Sequence, residues 1–152
     1  MKFPSACAAF AGFLLLSMEA LALEWCGSKS DDLVLQTVKV NPNPIDRSKG
    51  VTLEIVGDLH KPIGPDAYFF YDFRGEGNHE VWKSAAVTTL DAADLIPDSS
   101  TSTKRINPRF FFPPEFSDVK KNAEINVHIV ARQGPSDDSK RIFCVQGTLI
   151  LG

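Results

Sequence analysis

The feature that most restricts this chain is a two-residue hydrophobic period that recurs along its length and is cut each time by proline, glycine or asparagine. In "VTLEIVGDL" (51–59), Val51, Leu53, Ile55 and Leu59 fall on one face while Thr52 and Glu54 fall on the other. That spacing matches a strand with one buried side and does not match a helical stripe. "LVLQTVKV" (33–40) reads the same way and is stopped by Asn41-Pro42-Asn43-Pro44, whose prolines remove ladder donors and force a turn. "AYFFYDF" (67–73), "EVWKSAAVTTL" (80–90), "RFFF" (109–112), "INVHIVAR" (125–132) and "RIFCVQGTLIL" (141–151) bring the total to about seven strands, with Gly75-Glu76-Gly77-Asn78 as the turn before the fourth. Strands of this number and spacing predict an all-β, two-sheet, immunoglobulin-like sandwich. Only "LDAADLI" (90–96) has the pattern of a helical turn, and "PDSSTSTK" (97–104) reads as a polar loop.

Residues 1–22 read as a segment apart. Lys2 supplies a positive start, "ACAAFAGFLLL" an apolar stretch, and Ala20-Leu21-Ala22 a small-x-small cleavage site, so a secretory signal peptide removed after Ala22 is expected. The competing reading, a membrane anchor, needs about 20 uninterrupted apolar residues, and Glu19 breaks this run early. Residues 23–152 then form one domain, secreted or lumenal within the secretory pathway, endosome and lysosome included. Its charge is mixed, 16 Lys plus Arg against 19 Asp plus Glu over the whole chain. That balance lacks the basic footprint of a nucleic-acid binder.

Of three cysteines, Cys7 lies in the leader, leaving Cys26 beside the first strand and Cys144 within the last. An even pair in an oxidising compartment is expected to close into a disulfide. The alternative, a cysteine nucleophile, requires a basic neighbour that spacing alone does not supply.

A cysteine closely followed by Asp and an alternating strand, then "VNPNPI", "GVTLEIVGDLHKPI" and, at the far end, "INVHIVAR", "SDDSKR" and "IFCVQGTLIL", resembles the ML family of secreted lipid-recognition domains. That family includes sterol-transfer, ganglioside-activator and phosphatidylglycerol/phosphatidylinositol transfer proteins. The resemblance runs in order over residues 23–152 and is carried by the two ends. Members usually hold further cysteines in the middle, including a Cys-Pro pair, and residues 74–110 here hold none. The resemblance implies a hydrophobic cavity between the two sheets that takes a sterol, fatty acid or phospholipid. It also implies a Cys26–Cys144 bridge. Transient contact with a membrane or a protein receptor belongs to the same reading.

Composition allows such a pocket without demanding it. Eleven Phe, of which Phe10 and Phe13 are in the leader, cluster as "YFFYDF" and "RFFFPPEF". A filled core absorbs such rings readily, whereas an apolar pocket needs them as lining. Alternation nominates Val51, Leu53, Ile55, Phe69, Tyr71, Phe73, Trp82, Phe110, Phe112, Val127, Ile129, Phe143 and Val145 as inward residues. "FFFPPEF" either edges a pocket mouth, touching ligand or membrane, or packs inward as a strand end. His60, His79 and His128 lack metal-ligand spacing, with His128 the outward member of its strand. Asp137-Asp138 reads as a solvated hairpin turn, and no hydrolase or phosphate-loop motif is present. The chain is therefore expected to bind without catalysis and without metal or cofactor. A secreted immunoglobulin-like module that binds protein through its surface, with a filled core, is the rival.

Overall fold

The computed structural model describes residues 23–90 and 103–152. The expected leader, the helical turn beyond Leu90 and most of the expected polar loop lie outside the described residues. Nine strands are described: β1 (Leu23–Trp25), β2 (Leu33–Asn41), β3 (Val51–Leu59), β4 (Asp66–Arg74), β5 (Glu80–Thr89), β6 (Thr103–Ile106), β7 (Arg109–Phe110), β8 (Glu124–Arg132) and β9 (Arg141–Ile150). They form two antiparallel sheets, a wide one in the order β1-β9-β8-β4-β5 and a narrow one in the order β2-β3-β6 with β7 also paired to β3. The all-β sandwich expected from the alternation is what the chain adopts.

Register follows the period. β3 alternates buried and half-buried residues along its whole length, and β4 does the same one residue out of phase. Tyr71 of β4 sits between Ser84 of β5 and Ile129 of β8, and Ile129 in turn faces Val145 of β9. A shift of one residue would turn every one of these apolar side chains to solvent, which is why the register is unique. The strands end where the sequence denies them ladder partners. β2 stops at Asn41-Pro42-Asn43-Pro44, where both X–Pro bonds are cis, and "GEGN" forms a short 3-10 turn at Glu76–Asn78. A second 3-10 turn, Pro114–Asp118, buries Phe116.

Two strands depart from expectation. Thr103 and Lys104, expected in a loop, belong to β6, where Ile106 opposite Ile55 is the one buried residue. "TKRI" has no alternation to read, so pairing with β3 and not local pattern makes it a strand. The expected strand 109–112 is shorter: β7 covers Arg109–Phe110, and the chain then leaves the sheet toward Pro113.

The predicted bridge joins Cys26 to Cys144 across 118 positions and ties the end of β1 to β9. Beside it stand two buried carboxylates that the sequence reading did not single out. Asp31 pairs with Arg141 Nε at 2.8 Å and accepts from Ser28 N at 3.0 Å; Asp32 pairs with Lys140 Nζ at 2.6 Å and accepts from Gln133 Nε2 at 2.9 Å. The Asp32 N–H also donates to Arg141 O, and its carbonyl accepts from His60 N. Residues 31–32 thus lace the start of the narrow sheet to the β8–β9 hairpin of the wide one. Gly27 is required there, because a Cβ would strike the Asp31 carboxylate. The disulfide fits an oxidising compartment, and no helix among the described residues is long and apolar enough to cross a membrane.

Candidate ligand-binding site

The thirteen inward candidates fall into one core. Val51, Leu53 and Ile55 of β3, Phe69, Tyr71 and Phe73 of β4, Phe110 of β7, Val127 and Ile129 of β8, and Phe143 and Val145 of β9 are buried, while Trp82 and Phe112 are half-buried against them. Alternation placed each on its correct face. Within this core, the aliphatic side chains gather on β3, β8 and β9, whereas aromatic rings concentrate where β4 and β5 of the wide sheet approach β7 and the Pro114–Asp118 turn.

Six rings make that aromatic wall. Tyr71 stacks on Trp82 with centroids 5.0 Å apart. Phe73 lies edge-on to Trp82, Phe110 and Phe116 at 5.3–5.9 Å, and Phe112 meets Phe116 at 4.6 Å. Edge-to-face and offset stacks are the favoured arrangements for aromatic pairs, each adding about 0.5–1.5 kcal/mol beyond area burial. Phe116 was absent from the candidates because it lies on a 3-10 turn, where no period marks it. The signal that could have found it is the proline pair two residues before, which ends the strand and swings the next aromatic back inward. Phe69 continues the wall inward, stacked on Tyr71 at 6.0 Å and edge-on to Phe143 at 5.6 Å.

The wide sheet overhangs the narrow one at β5. Residues opposite one another on neighbouring antiparallel strands share a face, so Ser84, Ala86 and Thr88, opposite Tyr71, Phe69 and Ala67, point inward. Yet Ala86 is exposed and Ser84 only half-buried. At Ser84 and Ala86, between half-buried Trp82 and buried Thr88, the inward side of the edge strand is therefore a short open shelf next to the aromatic wall. Its polar feature is the Tyr71 hydroxyl, 3.3 Å from Thr88 Oγ1. Burial raises the Tyr71 pKa, and the Thr88 hydrogen bond opposes this, so the phenol stays protonated and able to donate.

Clefts elsewhere among the described residues are open. One of about 800 Å³ lies between the Glu76–Asn78 turn and residues 118–126; one of about 660 Å³ lies between corners 44–48 and 112–117; one of about 470 Å³ lies on the outer face of the wide sheet around His128. Of the thirteen candidates only Phe112 and Val127 border any of them. His128 is exposed on the outer face as expected, but the fold brings its Nε2 to 3.4 Å from Cys144 Sγ. With Cys26 it forms a three-residue cluster of potential ligand atoms within 4.8 Å. Both sulfurs are bonded to each other and offer no thiolate to a metal. Asp137 and Asp138 are exposed in the β8–β9 turn, beside Ser136 and Ser139, which hydrogen-bond within that turn. A scan against protein-family models finds no matching family, and a search of curated proteins finds no match.

Proposed function

We propose that the protein is a secreted carrier that holds an apolar lipid, a sterol, fatty acid or phospholipid, between its two sheets. The observation that carries this reading is the short open shelf of Ser84 and Ala86 on the core-facing side of β5, since it leaves a way in beside the six-ring wall. The resemblance to secreted lipid-recognition domains supports the same assignment. A ligand would slide along Ser84 and Ala86, lift half-buried Trp82 from its stack on Tyr71, and meet Phe110 and Phe112. The driving force is desolvation, about 25 cal/mol per Å² of apolar area removed from water. The half-buried Ser84 hydroxyl supplies the polar contact for a head group at the rim, and the Tyr71 and Thr88 hydroxyls lie buried behind it.

Trp25 and Trp82 are the chain's two tryptophans, so a Trp25→Phe variant reports on Trp82 alone. Titration with oleate or cholesterol should then shift its emission in a saturable way. Ala86→Trp, which fills the shelf without touching the packed interior, should weaken the probe about tenfold or more, while Lys39→Ala on β2 leaves it unchanged. Organic extracts of the secreted protein should contain a lipid at near-stoichiometric amount by mass spectrometry.

One observation favours a second reading, a protein-binding immunoglobulin-like module: the thirteen candidates already pack against one another as a filled core. An empty extract together with no saturable emission change would select it.

A further inference from the structure

His128 stands beside the Cys26–Cys144 bridge, on the face of the wide sheet turned away from the core. Cys144 of β9 lies opposite Val130, and His128 of β8 lies opposite Gln146, so the two are diagonal neighbours on adjacent strands. The 3.4 Å contact between His128 Nε2 and Cys144 Sγ has one possible sense. A disulfide sulfur carries no proton, so the ring N–H donates and the sulfur accepts.

The two sulfurs are not equivalent. Cys144 is 2 % exposed, whereas Cys26, just past the end of β1, is half-buried and open to a reagent from solvent. Thiol–disulfide exchange depends on which sulfur can be reached and on how readily the other one leaves. Access selects Cys26 for attack, and the His128 N–H serves Cys144 as the leaving sulfur. Both asymmetries point the same way.

The charges around the ring leave it free for this role. Asp72, opposite His128 on β4, is held by Arg74 Nε and Nη2 at 2.9 and 3.0 Å, with Lys83 of β5 beyond it. Glu24 of β1 accepts from Gln146 Nε2 at 3.4 Å. Neither carboxylate takes the ring Nε2–H. The cleft of about 470 Å³ around His128 keeps the ring in contact with water, from which it can be reprotonated.

We propose that the bridge is a directional thiol-exchange site, at which a low-molecular-weight thiol such as glutathione or cysteine modifies Cys26 while His128 assists the departure of Cys144. The incoming thiolate forms a bond to Cys26 Sγ. The Cys26–Cys144 bond breaks with its electron pair on Cys144 Sγ, and the His128 imidazolium gives that sulfur its proton. The incoming thiol is oxidised into the mixed disulfide and Cys144 is reduced. Backbone pairing keeps the products close, since Cys26 N–H donates to Cys144 O at 3.0 Å and Trp25 pairs with Val145. Cys144 can therefore attack Cys26 in turn, expel the thiol and restore the bridge. The inference goes beyond lipid carriage, and its test uses no lipid, so either can fail alone.

The full secreted chain is incubated with reduced glutathione under native conditions, sampled early, trapped with N-ethylmaleimide and mapped by peptide mass spectrometry. Glutathione is expected on Cys26 and maleimide on Cys144. Glutathione mainly on Cys144 or shared equally, or a bridge that exchanges only once the chain is unfolded, would overturn the proposal. This measurement needs no variant. A second compares exchange rates per attacking thiolate for the native chain, His128→Gln and, as control, His60→Gln, whose exposed ring is not part of the cluster at the bridge. An imidazole changes charge between about pH 5 and 8. His128→Gln should therefore slow exchange on the order of tenfold at the acid end of that range and progressively less toward the alkaline end, while His60→Gln follows the native chain throughout. A His128→Gln rate equal to the native one, or a slowing of the same size at every pH, would also overturn the proposal. Both substituted side chains are exposed, and unchanged circular dichroism and melting temperature verify the fold.

Discussion

The two edges of this sandwich are held by different physics. Where β1, β2 and β9 meet, the Cys26–Cys144 bridge, the Asp31–Arg141 pair and the Asp32–Lys140 pair act through particular atoms at particular distances. Where β5 approaches β7 and the Pro114–Asp118 turn, Tyr71, Phe73, Trp82, Phe110, Phe112 and Phe116 act through area and ring packing. The first kind of link tolerates little substitution, since removing either cation strands a buried carboxylate. The second is shared among many rings and yields gradually. A molecule pinned along one edge and merely packed along the other is expected to open at the packed edge, where the shelf of β5 already lies uncovered.

The sharpest way to break this contrast is to cut the pinned edge. Replacing Cys26 and Cys144 together by Ser should destabilise by about 4–5 kcal/mol on the chain-entropy argument for so long a loop, read as a lower denaturant midpoint. A midpoint that barely moves would mean the ionic lacing alone holds this edge. Asp32→Asn comes next. It keeps the shape but removes a charge that Lys140 and Gln133 both contact, and hydrogen bonds to charged groups contribute about 1.5–3 kcal/mol, so a loss of about 2 kcal/mol is expected by urea unfolding. Lys140 is half exposed, so removing the carboxylate releases its ammonium to solvent and not into a buried vacancy.

The packed edge should respond more mildly to a comparable change. Phe112→Leu keeps an apolar side chain of similar size at a half-buried position and should cost less than about 1.5 kcal/mol. A larger loss than for Asp32→Asn would reverse the comparison. The smallest effect belongs to the exposed corner at 44–48. Asp46 has its pKa lowered from 3.8 to about 2, first by the Ser48 hydroxyl, then by the Ser48 N–H and Lys49. A depressed carboxyl pKa adds stability that is present above pH 3.8 and is lost as pH falls through about 2. The melting temperature of the native chain should therefore decline slightly more over that window than that of Asp46→Asn.

Legibility differed between these regions for a physical reason. Cys26 and Cys144 could be paired once Cys7 was assigned to the expected leader, and the alternating runs on β3, β4 and β8 put Ile55, Tyr71 and Ile129 on the right face. Asp31 and Asp32, which lace the same edge, looked like ordinary polar residues before a strand, because nothing local says that Arg141, more than a hundred positions away, will come within 2.8 Å. At the aromatic edge Phe110, Phe112 and the outward Phe111 between them were legible from period, whereas Phe116, on the 3-10 turn, was not. β6 was read as loop because its strand character comes from β3.

By itself, the order of residues determined the β class, the facing of each side chain within a strand, the places where strands stop and the identity of the disulfide partners. Those properties depend on the two-residue pleat, on proline's missing N–H and on two of the three cysteines lying beside the first and within the last alternating run. Tertiary structure decided the rest: that the inward side of β5 is left open at Ala86, that two carboxylates are buried in the lacing and that six rings converge. Each of these is a relation between strands distant in sequence, set by how two twisted sheets of unequal width share one core, and no local period encodes it.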